Sequence, residues 1–308
     1  MGTLPGRSVR SMLFVPGSRP DMMAKAARSE ADAVCLDLED SVAPAEKPAS
    51  RAHVVRVLRE LDFGHRVRLV RVNALDTPFA YRDLVEVVEG AGGYLDAVML
   101  PKVGSARDVW FVDTLLAQIE AHAGLPIPIG VEAQIESAAG YMSLKEIAGA
   151  APRLRSLIFG PGDFAASMRM PSSGIGEFDA NDDLYPGHRW HAVMLALVAA
   201  ARSHGLRCID GPYGQYTDPI GFDRSCRIAR AMGFDGKQCI HPSQVGLANA
   251  IFSPSAEEVA HAAAVVRAVD EAAAAGRGAA THEGKMIDAA SLRMARTILD
   301  RVEQGTRR

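Results

Sequence analysis

Charged and polar side chains stand at the ends of seven of eight short apolar runs in this sequence, and their types could hold a metal ion. In chain order the runs end in Pro16–Gly17; in Asp37, Glu39 and Asp40; in Arg71 and Asn73; in Pro101–Lys102; in Glu132, Gln134 and Glu136; in Asp163; in Asp210; and in His241. Because a buried charge is costly unless it is paired or bound to a metal, chance alone would not usually place charge after so many apolar runs.

Two of these carboxylates, Glu136 and Asp163, are the predicted metal ligands, because each directly follows its own apolar run. Carboxylates without a cysteine or histidine cluster suit a hard cation, Mg²⁺ or Mn²⁺. Arg71 would then face an anionic substrate oxygen or a developing negative charge. Taken alone, Asp163 could instead cap a helix, and Glu136 could lie on the surface.

Other members of the set have structural alternatives. Asp37 or Glu39 could simply neutralise Arg71 or Lys102. Lys102 could also form a Schiff base, as some active-site lysines do, although the carboxylates favour a metal route. His241 follows the last run, where a histidine is more often structural than catalytic.

The apolar runs predict the elements that position these groups. They are Ser11–Val15, Ala33–Leu38, Arg68–Val72, Ala97–Leu100, Pro128–Ile135, Ser156–Phe159, Leu206–Ile209 and Lys237–Ile240. Amphipathic helical stretches lie between most of them, which predicts a parallel sheet with right-handed crossovers. Eight such units fit an α/β fold of the (β/α)₈ (TIM) barrel type, whose active site lies at the carboxyl ends of the strands. A doubly wound open sheet is the alternative, but no GxGxxG turn follows the first run.

Three of the predicted helices have clear boundary residues. One begins after Ser105, a typical N-cap, and ends at Gly124. A second spans His188–His204 before Gly205, and a third spans Asp223–Met232 before Gly233.

The sequence from about Ser253 onward predicts helices and a Gly-rich loop, with no further strand. A helix over Ser255–Ala275 has Ser255 as its cap, and a last helix covers about Ala289–Glu303. We therefore assign residues 1–252 to the barrel and residues 253–308 to a C-terminal helical arm or lid. We expect this arm to pack on a neighbouring subunit.

The composition argues against several classes of protein. The 308 residues are 48% hydrophobic and 23% charged, as in a globular enzyme, and a net charge of -3 argues against a nucleic-acid binder. No apolar stretch is long enough to predict a membrane span, and the first residues lack the apolar core of a signal peptide. The cysteines form no CxxC pair, so we expect buried reduced thiols and a cytoplasmic protein; they are Cys35, Cys208, Cys226 and Cys239.

Eight short motifs occur in one order along nearly the whole chain. They are RSMLFVPGS (Arg10–Ser18), AVCLDLEDSVAPAEK (Ala33–Lys47), VRVN (Val70–Asn73), MLPKV (Met99–Val103), QIESAAG (Gln134–Gly140), FGPGDF (Phe159–Phe164), MGFDGKQCIHPSQ (Met232–Gln244) and GKMID (Gly284–Asp288). With these motifs the chain resembles the citrate lyase β-subunit-like branch of the HpcH/HpaI aldolase superfamily, which includes malyl-CoA and citramalyl-CoA lyases.

The resemblance implies a Mg²⁺-dependent barrel enzyme, with Mn²⁺ as a substitute, that forms homotrimers or hexamers. By motif, Glu136 and Asp163 would bind the metal and Arg71 would contact substrate oxygens. Backbone N–H groups around Gly162 would hold a substrate carboxylate. Asp288 would be the catalytic acid/base, delivered by the arm of a neighbouring subunit that closes the site. The alternative for Asp288 is an N-cap of the last helix.

Four further residues complete the predicted site. Arg10 and Lys102 are assigned to substrate binding together with Arg71 and Gly162. Arg19 and Lys25, near the first run, are candidates for contacts with the phosphates of CoA, although a role in surface solubility explains either residue equally well.

The reaction that the resemblance implies is cleavage or formation of a 3-hydroxyacyl-CoA, such as malyl-CoA or citramalyl-CoA. The other side of the reaction is an acyl-CoA and a 2-oxo acid, glyoxylate or pyruvate. The expected partners are these small molecules, and the stretch Asp210–Phe222 favours the malyl-CoA lyases. The alternatives are a malyl-CoA thioesterase, a CoA-independent aldolase, and a citrate lyase β-subunit whose substrate arrives on an acyl carrier protein.

Overall fold

Eight parallel strands form the centre of the fold in a computed structural model, which describes residues 7–172, 174–184, 189–276 and 280–306. They are β1 (Ser11–Pro16), β2 (Ala33–Asp37), β3 (Val67–Arg71), β4 (Ala97–Leu100), β5 (Gly130–Ile135), β6 (Leu154–Phe159), β7 (Arg207–Asp210) and β8 (Gly236–Cys239). Each strand pairs with the next, and β8 pairs with β1, so the sheet is a closed barrel. The predicted barrel is confirmed, and each strand begins and ends within two residues of its predicted bounds.

Helices connect the strands on the outside of the barrel. They are α1 (Pro20–Ala26), α2 (Lys47–Glu60), α3 (Ala80–Ala91), α4 (Ala106–Ala123), α5 (Ala138–Met142), α6 (Leu144–Ala148), α7 (Pro161–Ser167), α8 (His191–Ser203), α9 (Pro219–Met232) and α10 (Pro242–Phe252). Ser105 and Asp108 form a capping box before α4, and Gly124 ends it at φ 66°. Both boundary predictions are confirmed.

Two predicted helix starts differ from the structure. Helix α9 begins at Pro219, four residues before the predicted Asp223. The cause is a strong local start signal, because Asp218 accepts a hydrogen bond from the Gly221 N–H at 2.9 Å and proline occupies the first helical position. Helix α8 begins at His191, and the predicted start at His188 lies outside the described residues.

Alternate residues of the strands fill the inside of the barrel, as a period of two requires. This interior core consists of Val9, Met12, Ala33, Cys35, Val67, Leu69, Ala97, Met99, Ile158 and Ile209, with Phe14 packed against it. The four cysteines are buried and free, as expected. Apolar side chains thus fill the middle of the barrel.

The chain divides into two compact units, one comprising Val9–Ala250 and the other built mainly from the residues that follow. The second, the C-terminal unit, contains α11 (Ala256–Ala274), β9 (Ala280–His282), β10 (Lys285–Ile287) and α12 (Ala289–Thr306). None of the helices over the described residues is both long and apolar enough to cross a membrane.

The hairpin of β9 and β10 corrects the prediction that no strand follows Ser253. The two strands pair antiparallel around Glu283 and Gly284, whose φ angles are 49° and 74°. Two left-handed residues form the turn that suits a two-residue hairpin, which normally carries Asn-Gly or Asp-Gly. The sequence HEGK lacks that signature, which is why the hairpin escaped prediction.

Candidate active site

A cavity of about 370 Å³ opens at the carboxyl ends of the barrel strands. Its lining comes from the strand ends and the loops that follow them: Phe14, Val15, Pro16, Asp37, Asp40, Ser41, Arg71, Gln134, Glu136, Gly160, Pro161, Gly162, Asp163, Ile175, Pro212, Gln238 and Ile240. The lining combines charged side chains with apolar ones, so the cavity suits a ligand with several oxygen atoms and a short carbon chain.

Glu136 is a buried carboxylate of this cavity, only 3% exposed. Its Oε1 accepts a hydrogen bond from the Lys102 backbone N–H at 2.7 Å, and its Oε2 accepts one from Gln134 Nε2 at 2.5 Å. Burial raises the pKa of Glu136 to about 7, and the charge of Asp163 adds to the effect. A buried carboxyl whose anion is this unfavourable calls for a cation beside it.

Asp163 supplies the second carboxylate. It lies in the first turn of α7, lines the cavity and is exposed. The N-cap position of α7 belongs to Gly160, and no side chain caps that helix. The alternative that Asp163 is an N-cap is therefore wrong.

Glu136 and Asp163 fit a hard divalent cation. Both offer oxygen atoms, and Glu136 is buried with a pKa that burial and the charge of Asp163 raise. A carboxylate pair of this kind is stabilised by Mg²⁺, which takes one or two protein carboxylates and fills its remaining positions with water and substrate. The metal assignment itself stays a prediction.

Two residues that the sequence did not single out position Glu136. Gln134 is held by Gln238, whose Nε2 donates to Gln134 Oε1 at 3.2 Å, so Gln134 Nε2 points at the carboxylate. A Cβ added at Gly160 would overlap the Glu136 side chain, 2.5 Å from its Cβ. The motifs contain both residues, but only their placement shows what they do.

We expect Gly160→Ala to lower the affinity for Mg²⁺ by at least about tenfold, because the new methyl group must displace the Glu136 carboxylate. The matched control is Gly162→Ala, two residues on, where an added Cβ would meet Ile175 at 3.4 Å, an ordinary contact. Calorimetric titration with Mg²⁺ measures both variants. Equal affinities would contradict the packing role of Gly160.

The pKa of Glu136 predicts how the stability of the metal-free protein depends on pH. A carboxyl with a folded pKa of about 7 and an ordinary value of 4.5 binds its proton more tightly in the folded chain. Its contribution to the free energy of unfolding, about 3 kcal/mol, is complete below pH 4.5. This contribution is lost as the pH rises through about 7. With a chelator present, unfolding by denaturant near pH 5 and near pH 8 should show a larger loss in the parent than in Glu136→Gln. Equal losses would contradict the assignment.

Arg71 is held by acidic neighbours at the same rim. Its Nε and Nη2 donate to Asp37 at 2.7 and 2.8 Å, and its Nη1 lies 3.0 Å from Glu39 Oε2 and 3.8 Å from Asp40. Burial opposes ionisation of Asp37, but the Arg71 guanidinium holds its pKa below the ordinary value. The acidic neighbours therefore neutralise Arg71, as one alternative predicted. An anionic ligand could share the Nη1 atom with them.

Lys102 makes a similar pair. Its Nζ donates to Glu39 at 2.8 Å and lies 3.7 Å from Asp40. Burial would lower the pKa of Lys102, but Glu39 and its neighbours raise it above the ordinary value. A Schiff-base lysine must lose its proton, so this environment argues against that alternative.

The backbone of Lys102 is strained where it meets Glu136. Its φ of 52° lies in the left-handed region, which costs a non-glycine residue roughly 1–2 kcal/mol. This conformation aims the Lys102 N–H at Glu136 Oε1. Strain held at such a place is typical of a functional site.

Arg10 lies outside this site, which corrects its assignment to substrate binding. It precedes β1, and its backbone N–H, Nε and Nη2 donate to Asp32, which precedes β2, at 2.9, 2.8 and 3.0 Å. Parallel strands place these residues at the amino-terminal end of the barrel, opposite the cavity. The motif Arg10–Ser18 crosses the barrel from one end to the other, so membership of the motif did not reveal the end at which Arg10 lies.

The other predicted contacts lie in several places. Gly162 lines the cavity in the first turn of α7. Arg19 follows β1 and pairs with Asp21 at 3.1 Å, and its side chain is 56% exposed. Lys25 is exposed in the last turn of α1. Their roles as ligands stay predictions.

Asp288 lies in the C-terminal unit, directly after β10. Its Oδ1 accepts hydrogen bonds from the backbone N–H and the Oγ of Ser291, both at 2.7 Å. Bonds from Ser291 hold the pKa of Asp288 below its ordinary value. In the structure Asp288 therefore has the geometry of an N-cap for α12, and its catalytic role stays a prediction.

The fold and this rim define a barrel enzyme with an acidic, oxygen-lined site. Residues 10–242 match the profile of the HpcH/HpaI aldolase/citrate lyase family, and the chain belongs to that family. It is 45% identical to an L-malyl-CoA/beta-methylmalyl-CoA lyase of Cereibacter sphaeroides over 97% of this chain and 96% of that protein. It is 36% identical to a (3S)-malyl-CoA thioesterase of the same species, over 96% and 94%.

A solved structure extends these similarities. The CitE protein of Mycobacterium tuberculosis, in complex with magnesium, acetoacetate and coenzyme A, superposes with a TM-score of 0.76 at 34% identity. The match covers 97% of this chain and all of that one. The family resemblance read from the sequence is confirmed.

Proposed function

We propose that this chain is a Mg²⁺-dependent carbon–carbon lyase that cleaves or forms a 3-hydroxyacyl-CoA of the malyl-CoA or β-methylmalyl-CoA type. The products of cleavage are an acyl-CoA and a 2-oxo acid. The observation that carries the proposal is the pair Glu136 and Asp163 in the rim cavity of a chain 45% identical to a lyase of this kind. Citramalyl-CoA, which would yield pyruvate, is a further candidate substrate for the assay described below.

Glu136 and Asp163 would hold the cation, and Gln134, Gly160 and the Lys102 N–H keep Glu136 in place. Bound there, a divalent cation supplies Lewis acidity, which lowers the pKa of the substrate hydroxyl.

Arg71 would recognise the anionic end of the substrate. Asp37 fixes the guanidinium through two hydrogen bonds, so Nη1 stays directed toward Glu39 and Asp40 at the cavity. A substrate oxygen that reaches Nη1 would accept a hydrogen bond without any movement of the arginine. A fixed guanidinium stabilises developing negative charge because it needs no reorganisation during the reaction.

The bond that breaks joins the hydroxyl carbon to the α-carbon of the thioester. The hydroxyl gives its proton to water, its carbon becomes the carbonyl of the 2-oxo acid, and the electron pair of the broken bond moves to the α-carbon. Asp288 would deliver a proton to that α-carbon in cleavage and remove it in condensation. The lowered pKa of Asp288 favours the anion, the form that acts as a base in condensation.

Hydrolysis of the thioester is the second candidate, favoured by the 36% identity to a malyl-CoA thioesterase. One assay separates the two. Malyl-, β-methylmalyl- and citramalyl-CoA are each incubated with the protein and Mg²⁺, and the products are identified. Glyoxylate or pyruvate with an acyl-CoA supports the lyase, whereas CoA with the free hydroxy acid, such as malate from malyl-CoA, supports the thioesterase. Loss of product on chelation, with recovery on adding Mg²⁺ or Mn²⁺, tests the metal.

We further propose that Arg19 and Lys25 contact the phosphates of CoA. Each is exposed and each carries one positive charge, so we expect Arg19→Ala and Lys25→Ala to raise KM for the CoA ester about two- to fivefold, with kcat little changed. Arg28→Ala, which removes another exposed charge just after α1, is the control. Unchanged KM in both variants, or an equal rise in the control, would contradict the assignment.

We also propose that the working enzyme is a homo-oligomer in which residues 253–308 of one subunit serve the site of another. Mixing an Asp288 variant with an Asp163 variant, each inactive alone, would restore activity if the two groups act in trans.

A further inference from the structure

The C-terminal unit contains three potential metal ligands that lie together, His261, His282 and Glu283. Their ligand atoms all lie within 4.8 Å of one another, and His282 Nε2 lies 3.8 Å from Glu283 Oε1. The two imidazole rings are 5.4 Å apart between centroids. Within the described parts of the chain, no other three His, Cys, Asp or Glu side chains converge in this way.

Two elements that pack together bring these side chains to one place. His261 lies on α11, His282 ends β9, and Glu283 begins the turn to β10. A small apolar core lies under them, in which Ala262, the neighbour of His261, and Ile287 of β10 take part. The helix and the hairpin are thus held together by packing, which fixes the backbone positions of the three ligands.

The turn is strained at its potential ligand. Glu283 has a φ of 49°, in the left-handed region, where a glutamate lacks the local hydrogen bonds that make Asn and Asp tolerant. Asparagine would satisfy the turn better, so a glutamate at this position keeps a carboxylate beside the two histidines at the expense of backbone strain.

We propose that His261, His282 and Glu283 bind a divalent transition metal such as Zn²⁺. Two imidazole nitrogens and one carboxylate are a ligand set that zinc favours and Mg²⁺ does not, and water would complete the coordination. Ligand atoms around tetrahedral zinc lie roughly 3.4 Å apart. The present separations are all within 4.8 Å, so a bound ion would have to draw the three side chains closer together.

A metal at this site would tie the hairpin to α11. The hairpin leads directly into Asp288, which follows Ile287, the last residue of β10. Binding would therefore restrict the segment that carries Asp288. The site itself does not depend on the proposed lyase activity, and its test reads binding directly.

The experiment titrates Zn²⁺ into the metal-free full-length protein by calorimetry, with excess Mg²⁺ present to occupy oxygen-only sites. Absorption of bound Co²⁺ reports the ligand set independently. We expect one Zn²⁺ per chain, and at least about tenfold weaker binding in His261→Ala and in His282→Ala. His122→Ala, which removes an exposed histidine of α4, is the matched control and should bind like the parent.

The variant Glu283→Asn distinguishes loss of a metal ligand from misfolding. Asparagine accepts the left-handed turn, so this variant should be at least as stable as the parent in thermal unfolding and yet bind Zn²⁺ more weakly. The proposal is overturned if the parent binds no Zn²⁺, or if His261→Ala and His282→Ala bind it as tightly as the parent or as His122→Ala.

Discussion

Replacing Asp163 by Asn should lower Mg²⁺-dependent turnover at least about 100-fold and weaken Mg²⁺ binding, because the cation would lose one of its two proposed anionic ligands. Asparagine has the same shape, and Asp163 is an exposed residue that does not cap α7, so the fold should be unaffected. Calorimetry with Mg²⁺ and steady-state rates across Mg²⁺ concentrations measure the two effects. High Mg²⁺ should restore part of the rate if binding is the cause.

The same substitution should also lower the pKa of Glu136, which gives a test that misfolding would not mimic. The charge of Asp163 contributes to the raised pKa of Glu136, so its removal should move that pKa down from about 7. The stability of the metal-free variant should then fall less between about pH 5 and about pH 8 than that of the parent. A misfolded variant would not show this pattern.

Asp40 offers the matched control for Asp163. It is a carboxylate that lines the same cavity with a 58% exposed side chain, and it lies 3.8 Å from Arg71 and 3.7 Å from Lys102. Asp40→Asn should leave the affinity for Mg²⁺ within a few-fold of the parent. If Asp163→Asn keeps both the affinity and the rate, or if Asp40→Asn loses as much Mg²⁺ affinity, Asp163 is not the metal ligand.

The barrel could be predicted because each of its strands is a short apolar run with polar residues at its end. Strand β2, Ala33–Asp37, is buried along its whole length, and the charge begins where the strand ends. The hairpin at Glu283 could not be predicted, since its three-residue strands are too short for a pattern and its turn lacks the usual asparagine. Local signals therefore sufficed where burial was extensive and failed where the elements were small.

The candidate site was predictable in part for a related reason. Glu136 and Asp163 each follow a strand, so the parallel order of the barrel brings them to one rim. The sequence could not reveal that Gly160 gives Glu136 its space, or that Gln238 aims Gln134 at it, because these are contacts between residues far apart in the chain. Arg10 was misplaced because a motif that spans a strand includes both of its ends.

Asp288→Asn should reduce turnover at least about 100-fold while leaving Mg²⁺ affinity and thermal stability unchanged. General acid–base catalysis contributes on the order of 10²–10⁴-fold, and an amide cannot exchange the proton. Asparagine caps a helix about as well as aspartate, so the bonds from Ser291 to Oδ1 can remain. Steady-state kinetics, Mg²⁺ titration and thermal unfolding of one preparation provide the three measurements.

The matched variant is Ser291→Ala, which removes the hydroxyl that donates to Asp288 but keeps its carboxylate. If Asp288 is only an N-cap, Ser291→Ala should lower stability by about 1 kcal/mol or less, and Asp288→Asn should be almost as active as the parent. If Asp288 exchanges the substrate proton, Ser291→Ala should keep most of its activity. Asp288→Asn should then lose its activity without any loss of stability. Because the cap seen in the structure and the proposed base would use the same carboxylate, this pair of variants separates the two roles.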